Sequence, residues 1–142
     1  MRMLRQVVLA AVTVVATFGC SSGDGGGQAR EGATTSSGVE QAFPDVVGAE
    51  VTAEGDSFTV AATISSPYDS DDRYADAFRV LGPTEEVLGV RELTHPHADE
   101  QPFTRSLSDV VVPDDVAWVT VQARDLVNGW GGETVTVAVP DR

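Results

Sequence analysis

For residues 43–142 the sequence predicts an all-β fold, an antiparallel Ig-like or fibronectin III-like β-sandwich of about seven strands. Three observations predict it. Apolar and polar residues alternate with a period of two over several short runs, the pattern of strands with one buried face. Clusters of Gly, Pro, Asp and Ser punctuate those runs. No stretch of the domain carries a sustained helical apolar stripe.

The elements follow in order. Val47, Ala49, Val51 and Ala53 alternate with Gly48, Glu50 and Thr52. After the turn signal Gly55-Asp56, Phe58, Val60, Ala62 and Ile64 alternate with Ser57, Thr59, Ala61 and Thr63, so the two runs read as a hairpin. Residues 75–81 form a short strand with Phe78 and Val80 on one face, closed by Gly82-Pro83-Thr84. Residues 86–94 follow, with a break in alternation between Val90 and Leu93 that predicts a bulge. Residues 103–112 and 117–124 come next, the latter with Val119, Val121 and Ala123 on one face. The last strand is 134–139, with Val135, Val137 and Val139 inward. The expected core is mainly Phe58, Ile64, Phe78, Leu107, Val119, Val121, Val135 and Val137, and a domain of this size can be stable without disulfides.

The first 42 residues have a different texture. Arg2 and Arg5 precede an unbroken run of Val, Leu, Ala, Thr and Phe over 7–18. That run fits the core of a signal peptide and falls well short of the roughly 20 residues of a spanning helix. Gly19-Cys20-Ser21 follows, and Cys20 is the only cysteine, so no internal disulfide can form. From Ser21 to Ala42 the chain is rich in Gly, Ser and Thr and nearly free of large apolar residues, the composition of a flexible tether. A coil of that length spans roughly 25 Å root-mean-square. The expected organisation is therefore a leader over 1–19, an anchor cysteine and tether over 20–42, and the sandwich over 43–142.

The junction Gly19-Cys20 resembles the lipobox of bacterial lipoproteins, although Thr17 and Phe18 depart from the usual Leu-[Ala/Ser]-Gly-Cys pattern. The resemblance implies cleavage before Cys20, lipid on its sulfur, and an extracytoplasmic domain anchored to the bacterial cell envelope, since two or more acyl chains give stable attachment. The stretch Val119-Thr-Val-Gln-Ala-Arg-Asp125, with Gly129-Trp-Gly-Gly132 and Thr134-Val-Thr-Val137, resembles the last hairpin of bacterial Ig-like domains. Ser66-Pro-Tyr-Asp69, Arg73-Tyr-Ala-Asp-Ala-Phe-Arg-Val80 and Glu100-Gln-Pro-Phe-Thr-Arg-Ser106 are similar to a group of secreted bacterial proteins and imply the fold without an activity.

Charge narrows the partners. The formal charge is −13, and loss of Arg2 and Arg5 with the leader takes it to −15. All nine basic residues are Arg. So acidic a body repels nucleic acid and anionic headgroups, which excludes a nucleic-acid partner and leaves membrane contact to the lipid. The expected partner is an unknown protein or envelope component.

Three stretches are candidate sites. His95-Pro96-His97 holds both histidines; in extended chain residues two apart share a side, so the imidazoles could meet one zinc or copper ion, with Glu100 or Asp99 adding oxygen. The alternative is an exposed loop shaped by Pro96 and Pro102. Asp69, Asp71 and Asp72 could gather calcium, although Arg73 breaks the EF-hand spacing, and turn chemistry explains the same residues. Asn128-Gly-Trp-Gly-Gly132 is read as the last hairpin loop, in which Trp130 and Asn128 could contact a partner, or Trp130 could fold back over the sandwich end. The chain has no Gly-x-Ser-x-Gly, no His-Glu-x-x-His and no phosphate loop. The expectation is a non-enzymatic Ig-like interaction module without catalytic residues and without a cofactor beyond those metals; the alternative is an envelope metal-binding protein that uses the His95-Pro96-His97 loop.

Overall fold

The computed structural model describes residues 40–142; the leader, Cys20 and all but the last three residues of the tether lie outside the described residues. Seven strands form two antiparallel sheets: β1 (Asp45–Glu54), β2 (Ser57–Ser65), β3 (Ala75–Leu81), β4 (Val87–Glu92), β5 (Phe103–Val110), β6 (Trp118–Asp125) and β7 (Gly129–Ala138). One sheet has the order β1-β2-β5, the other β4-β3-β6-β7. Because β4 pairs with β3, the arrangement departs from the constant-type immunoglobulin order, in which the fourth strand joins the first sheet. It is the fibronectin III-like variant of the expected sandwich.

Alternation produces this result directly. In β2, Phe58, Val60, Ala62 and Ile64 are all buried, and every residue between them is partly exposed. In β6, Val119, Val121, Ala123 and Asp125 take the inner face. β3 lies between β4 and β6, and six of its seven residues are buried. The core joins both inner faces through Phe58, Ile64, Phe78, Val80, Phe103 and Val121, among others. Gly55, with φ of 64°, supplies the tight reversal that puts Glu54 opposite Ser57.

Several boundaries differ from expectation. The fourth strand spans Val87–Glu92, and its register shift lies opposite Val80 and Leu81 rather than after Val90. Leu93 leaves the strand and is buried, its N–H donating to the Asp76 carbonyl at 2.7 Å. The fifth strand ends at Val110, next to a bulge where Asp109 takes φ of 59°. The last strand begins at Gly129, five residues before the expected start, so the turn is Leu126–Asn128 and Trp130 belongs to β7, opposite Arg124. Leu107, Val135 and Val137 pack against the core from partly buried positions, since they stand on edge strands. Val46, Val60, Val80, Phe103, Val110 and Val112 fill the centre alongside the expected residues.

Gly131 and Gly132, read as turn formers, lie within β7 where the segment Phe43–Asp45 crosses it. A Cβ on Gly131 would overlap the Phe43 ring, and one on Gly132 would overlap the Pro44 carbonyl. Glu133 N–H donates to Asp45 Oδ1 at 2.8 Å just beyond.

Candidate functional site

The antiparallel topology collects four segments at one end of the sandwich: the lead-in Glu40–Pro44, the β2–β3 loop, the β4–β5 loop and the β6–β7 turn. All the candidate ligating residues lie in these segments.

Asp69 ties two of them together. It is buried; its Oδ1 accepts from Ala75 N–H at 3.1 Å and its Oδ2 from His97 N–H at 2.9 Å. Gln101 adds a second bridge, accepting from Ser66 N–H at 2.7 Å and donating to the His97 carbonyl at 3.1 Å. Both oxygens of Asp69 therefore serve backbone donors, while Asp71 and Asp72 stay exposed. The three carboxylates of the acidic loop are not brought to one point.

The pinned backbone carries His97 into the protein. Its ring is stacked on Phe103 with centroids 4.0 Å apart and planes 15° apart, and the His95 ring stands 4.5 Å away on a 36° tilt. His97 is 3 % exposed, and neither ring nitrogen has a protein partner. His95 is exposed, and Pro96 separates the two. Around them is an open hollow of about 490 Å³, also lined by Ser70, Asp71, Asp99 and Glu100. Glu100 faces a competing partner, since Arg105 Nη2 donates to its Oε2 at 2.7 Å and holds its carboxyl below the ordinary range. The structure thus brings His95 and His97 together and turns Glu100 toward Arg105. Among the described residues no group of three His, Cys, Asp or Glu side chains is placed to hold a metal.

Burial lowers the His97 pKa, and the charges of Arg105 and His95 lower it further against weaker opposition from Asp69 and Glu100. The unfolded chain then takes up this proton more readily than the folded one. The stability tied to neutral His97 is complete above the unfolded value of about 6.5 and is lost as pH falls below it toward the folded value. Replacing His97 with Phe keeps an aromatic ring on Phe103 and removes two unpaired nitrogens. We expect His97→Phe to match or exceed the parent in stability by about 1 kcal/mol, and to show a flatter melting temperature between pH 7 and about 5. Thermal melts across that range, in chelator, check this; a steeper acid loss in the variant is the contrary result.

A second cluster sits at the β6–β7 turn. Asp125 is fully buried. Its Oδ1 accepts from Val127 N–H at 3.0 Å and Asn128 N–H at 2.7 Å, and its Oδ2 from Arg73 Nε at 3.1 Å. Burial alone would raise its pKa, but the Asn128 N–H and the other donors outweigh burial and hold it below the usual range. The Arg73 guanidinium lies 4.0 Å over the Tyr68 ring. Burial, with the Asp125 charge beside it, pushes the Tyr68 hydroxyl far above its ordinary pKa. Arg73 Nη2 also donates to the carbonyls of Gln41 at 3.0 Å and Ala42 at 2.8 Å. Asn128 Nδ2 donates to the same Ala42 carbonyl at 2.9 Å. Asn128, a candidate partner contact, therefore closes its own turn and clamps the lead-in. The signal for this was present: Asp followed by Asn three residues on is turn chemistry.

Trp130 stands elsewhere, on the outer face of the four-stranded sheet. Arg79 lies 4.4 Å and Arg124 5.2 Å from its ring centroid, so the indole is neither a free loop tip nor a plug over the sandwich end. Arg124 is fixed by both Asp76 oxygens at 2.8 Å and by Glu92 at 2.9 Å. Arg79 donates to Gln122 Oε1 at 3.0 Å and pairs with no carboxylate among the described residues. Trp118, Val87 and Val90 are exposed on the same sheet.

No protein-family model matches the chain. It is 33% identical over 129 aligned positions to a protein named "Putative lipoprotein" from the archaeon Halomicrobium mukohataei, covering 80% of this chain. The chain spans 63% of that relative's length. Among solved structures it resembles a hypothetical protein from Pyrococcus horikoshii OT3 with a TM-score of 0.45 at 12% identity, over 72% of this chain and 91% of the other. The fold rests on the strand order above. The relative named as a lipoprotein is archaeal, whereas the Cys20 pattern resembles a bacterial lipobox.

Proposed function

We propose that this chain is an extracytoplasmic lipoprotein, held to the membrane through lipid on Cys20, whose sandwich acts as a non-enzymatic interaction module. The observation that carries the anchor is Gly19-Cys20, the only cysteine, placed directly after a short apolar run. Similarity to a protein named as a lipoprotein supports it. The module reading is supported by the outer face of the four-stranded sheet, where Trp118 is 57 % exposed and Val87 53 %, with Trp130 and Arg79 between arginine-rich surroundings. Exposed aromatic and aliphatic side chains next to Arg are the composition of contact surfaces.

The test is intact mass spectrometry of the mature N-terminus with fractionation of cells producing the parent or Cys20→Ser. The expected result is a diacylated or triacylated Cys20 and a membrane-bound parent, with Cys20→Ser released. Losing two chains removes on the order of 0.8 kcal/mol per buried CH₂, so release should be nearly complete. An unmodified Cys20, or equal membrane retention of both forms, overturns the anchor. Crosslinking in the producing cells through a photoreactive residue at position 118 then tests the module; no specific adduct would place contact away from this face, and adducts unchanged by Trp130→Ala and Arg79→Ala would take those two residues out of the contact.

A further inference from the structure

We propose that His95 and His97 form a two-histidine site for a borderline transition-metal ion, zinc(II) or copper(II), in the hollow at the lead-in end of the sandwich. The site does not depend on the lipid anchor.

Geometry carries it first. A metal about 2.0–2.1 Å from an imidazole nitrogen lies roughly 3.2 Å from the ring centre, so two rings sharing an ion at about 90–110° have centroids roughly 4.5–5.3 Å apart. The observed separation is 4.5 Å. Polar chemistry carries it second. An unpaired buried polar atom costs about 1–3 kcal/mol, and native proteins retain few of them. His97 has two unpartnered nitrogens at 3 % exposure, yet its ring borders an open hollow. His95 is exposed and adjacent, so the proposed site has its ring turn a nitrogen toward a point shared with a His97 nitrogen. Phe103 behind His97 and the Asp69 bond to its backbone fix the buried ring, which lowers the ordering entropy lost on binding.

The neighbouring carboxylates define the kind of site. Asp69 is committed to backbone donors and Glu100 to Arg105. Asp71 and Asp99 line the hollow and form no salt bridge among the described residues, so they supply negative potential that concentrates cations. With two imidazoles from the protein, solvent completes the coordination shell. The ion is exchangeable, and nitrogen donors favour zinc(II) or copper(II) over calcium.

The test uses the full-length chain carrying Cys20→Ser in detergent, so that no thiol competes. The chain has two histidines, so proton NMR resolves one Hε1 signal for each. Zinc chloride should shift both signals together, saturating at one equivalent with Kd below about 100 μM, and copper(II) should selectively broaden the same two. His95→Ala, altered at an exposed position, should weaken binding at least about tenfold, and His97→Phe should abolish it. The proposal is overturned if neither ion perturbs both rings, if only His95 responds, if calcium gives an equal response, or if His95→Ala binds like the parent.

Discussion

Replacing Asp125 with alanine is expected to destabilise the domain by about 3–5 kcal/mol, the cost of leaving a buried ion pair half-made. The carboxylate has no exposed surface and satisfies three donors: Arg73 Nε and the N–H groups of Val127 and Asn128. Alanine leaves all three without that acceptor and loosens the turn that leads from β6 into β7. For a domain of this size the melting temperature should fall by on the order of 15 °C. Asp125→Asn keeps the shape and one acceptor oxygen, and should lose only about 1–2 kcal/mol. The pH dependence has a defined sign. The folded pKa of Asp125 is depressed, so its contribution is complete above the unfolded value of about 3.9 and is lost as pH falls through the folded one. Asp125→Ala should therefore flatten the acid limb of the stability profile. Urea unfolding of both variants from pH 3 to 7 measures this, and a loss below about 1 kcal/mol for alanine would show that the cluster is energetically minor.

Gly132→Ala is the second large effect, expected at about 3–4 kcal/mol. Two terms combine there. With φ of 81°, the backbone lies in the left-handed region, where a Cβ costs roughly 1–2 kcal/mol. The added carbon would also overlap the Pro44 carbonyl and crowd Asp45 Oδ1 at 2.9 Å. Gly129 separates the two terms. Its φ is 83°, but nothing lies within 4 Å of a Cβ built there. Gly129→Ala should cost only the backbone term, about 1–2 kcal/mol. Denaturant midpoints of the pair give the steric term by difference; equal losses would mean that Pro44 and Asp45 yield freely.

These two residues also show where the sequence was legible. The strands were readable because one buried face imposes a period of two, and β2 and β6 obey it without exception at the core positions. Residues 129–132 misled for a physical reason. Glycine permits tight reversal and equally permits close approach of another backbone, and the pattern Gly-Trp-Gly-Gly does not distinguish them. Here close approach wins, because Phe43 and Pro44 cross β7.

The histidine loop divides in the same way. That His95 and His97 lie side by side follows from their spacing. That His97 is buried does not, since burial requires Phe103 beneath the ring and Asp69, from another loop, holding its N–H. Glu100 looked equally available as a ligand until β5 brought Arg105 beside it. The distance between Arg73 and Asp125 in the chain hides their pairing, although the Asx turn at Asp125 was readable locally.

The clamp on the lead-in has a mechanical consequence. Tension on the chain from its N-terminal side reaches Gln41 and Ala42 before it reaches β1. At Ala42 it meets Arg73 and Asn128, from two different loops, both bonded to one carbonyl. At Gln41 it meets Arg73 again, and the Gln41 amide holds Asp45 and the Ser65 carbonyl. Load is thus shared between the β2–β3 loop, which joins the two sheets, and the β6–β7 turn of the four-stranded sheet, rather than concentrated on the first hydrogen bond of the β1–β2 pair. A strand unzips easily when its bonds break one at a time from the end. Here the bonds of Arg73 and Asn128 to Gln41 and Ala42 stand ahead of the β1–β2 ladder, so they must give way before unzipping from this end can start.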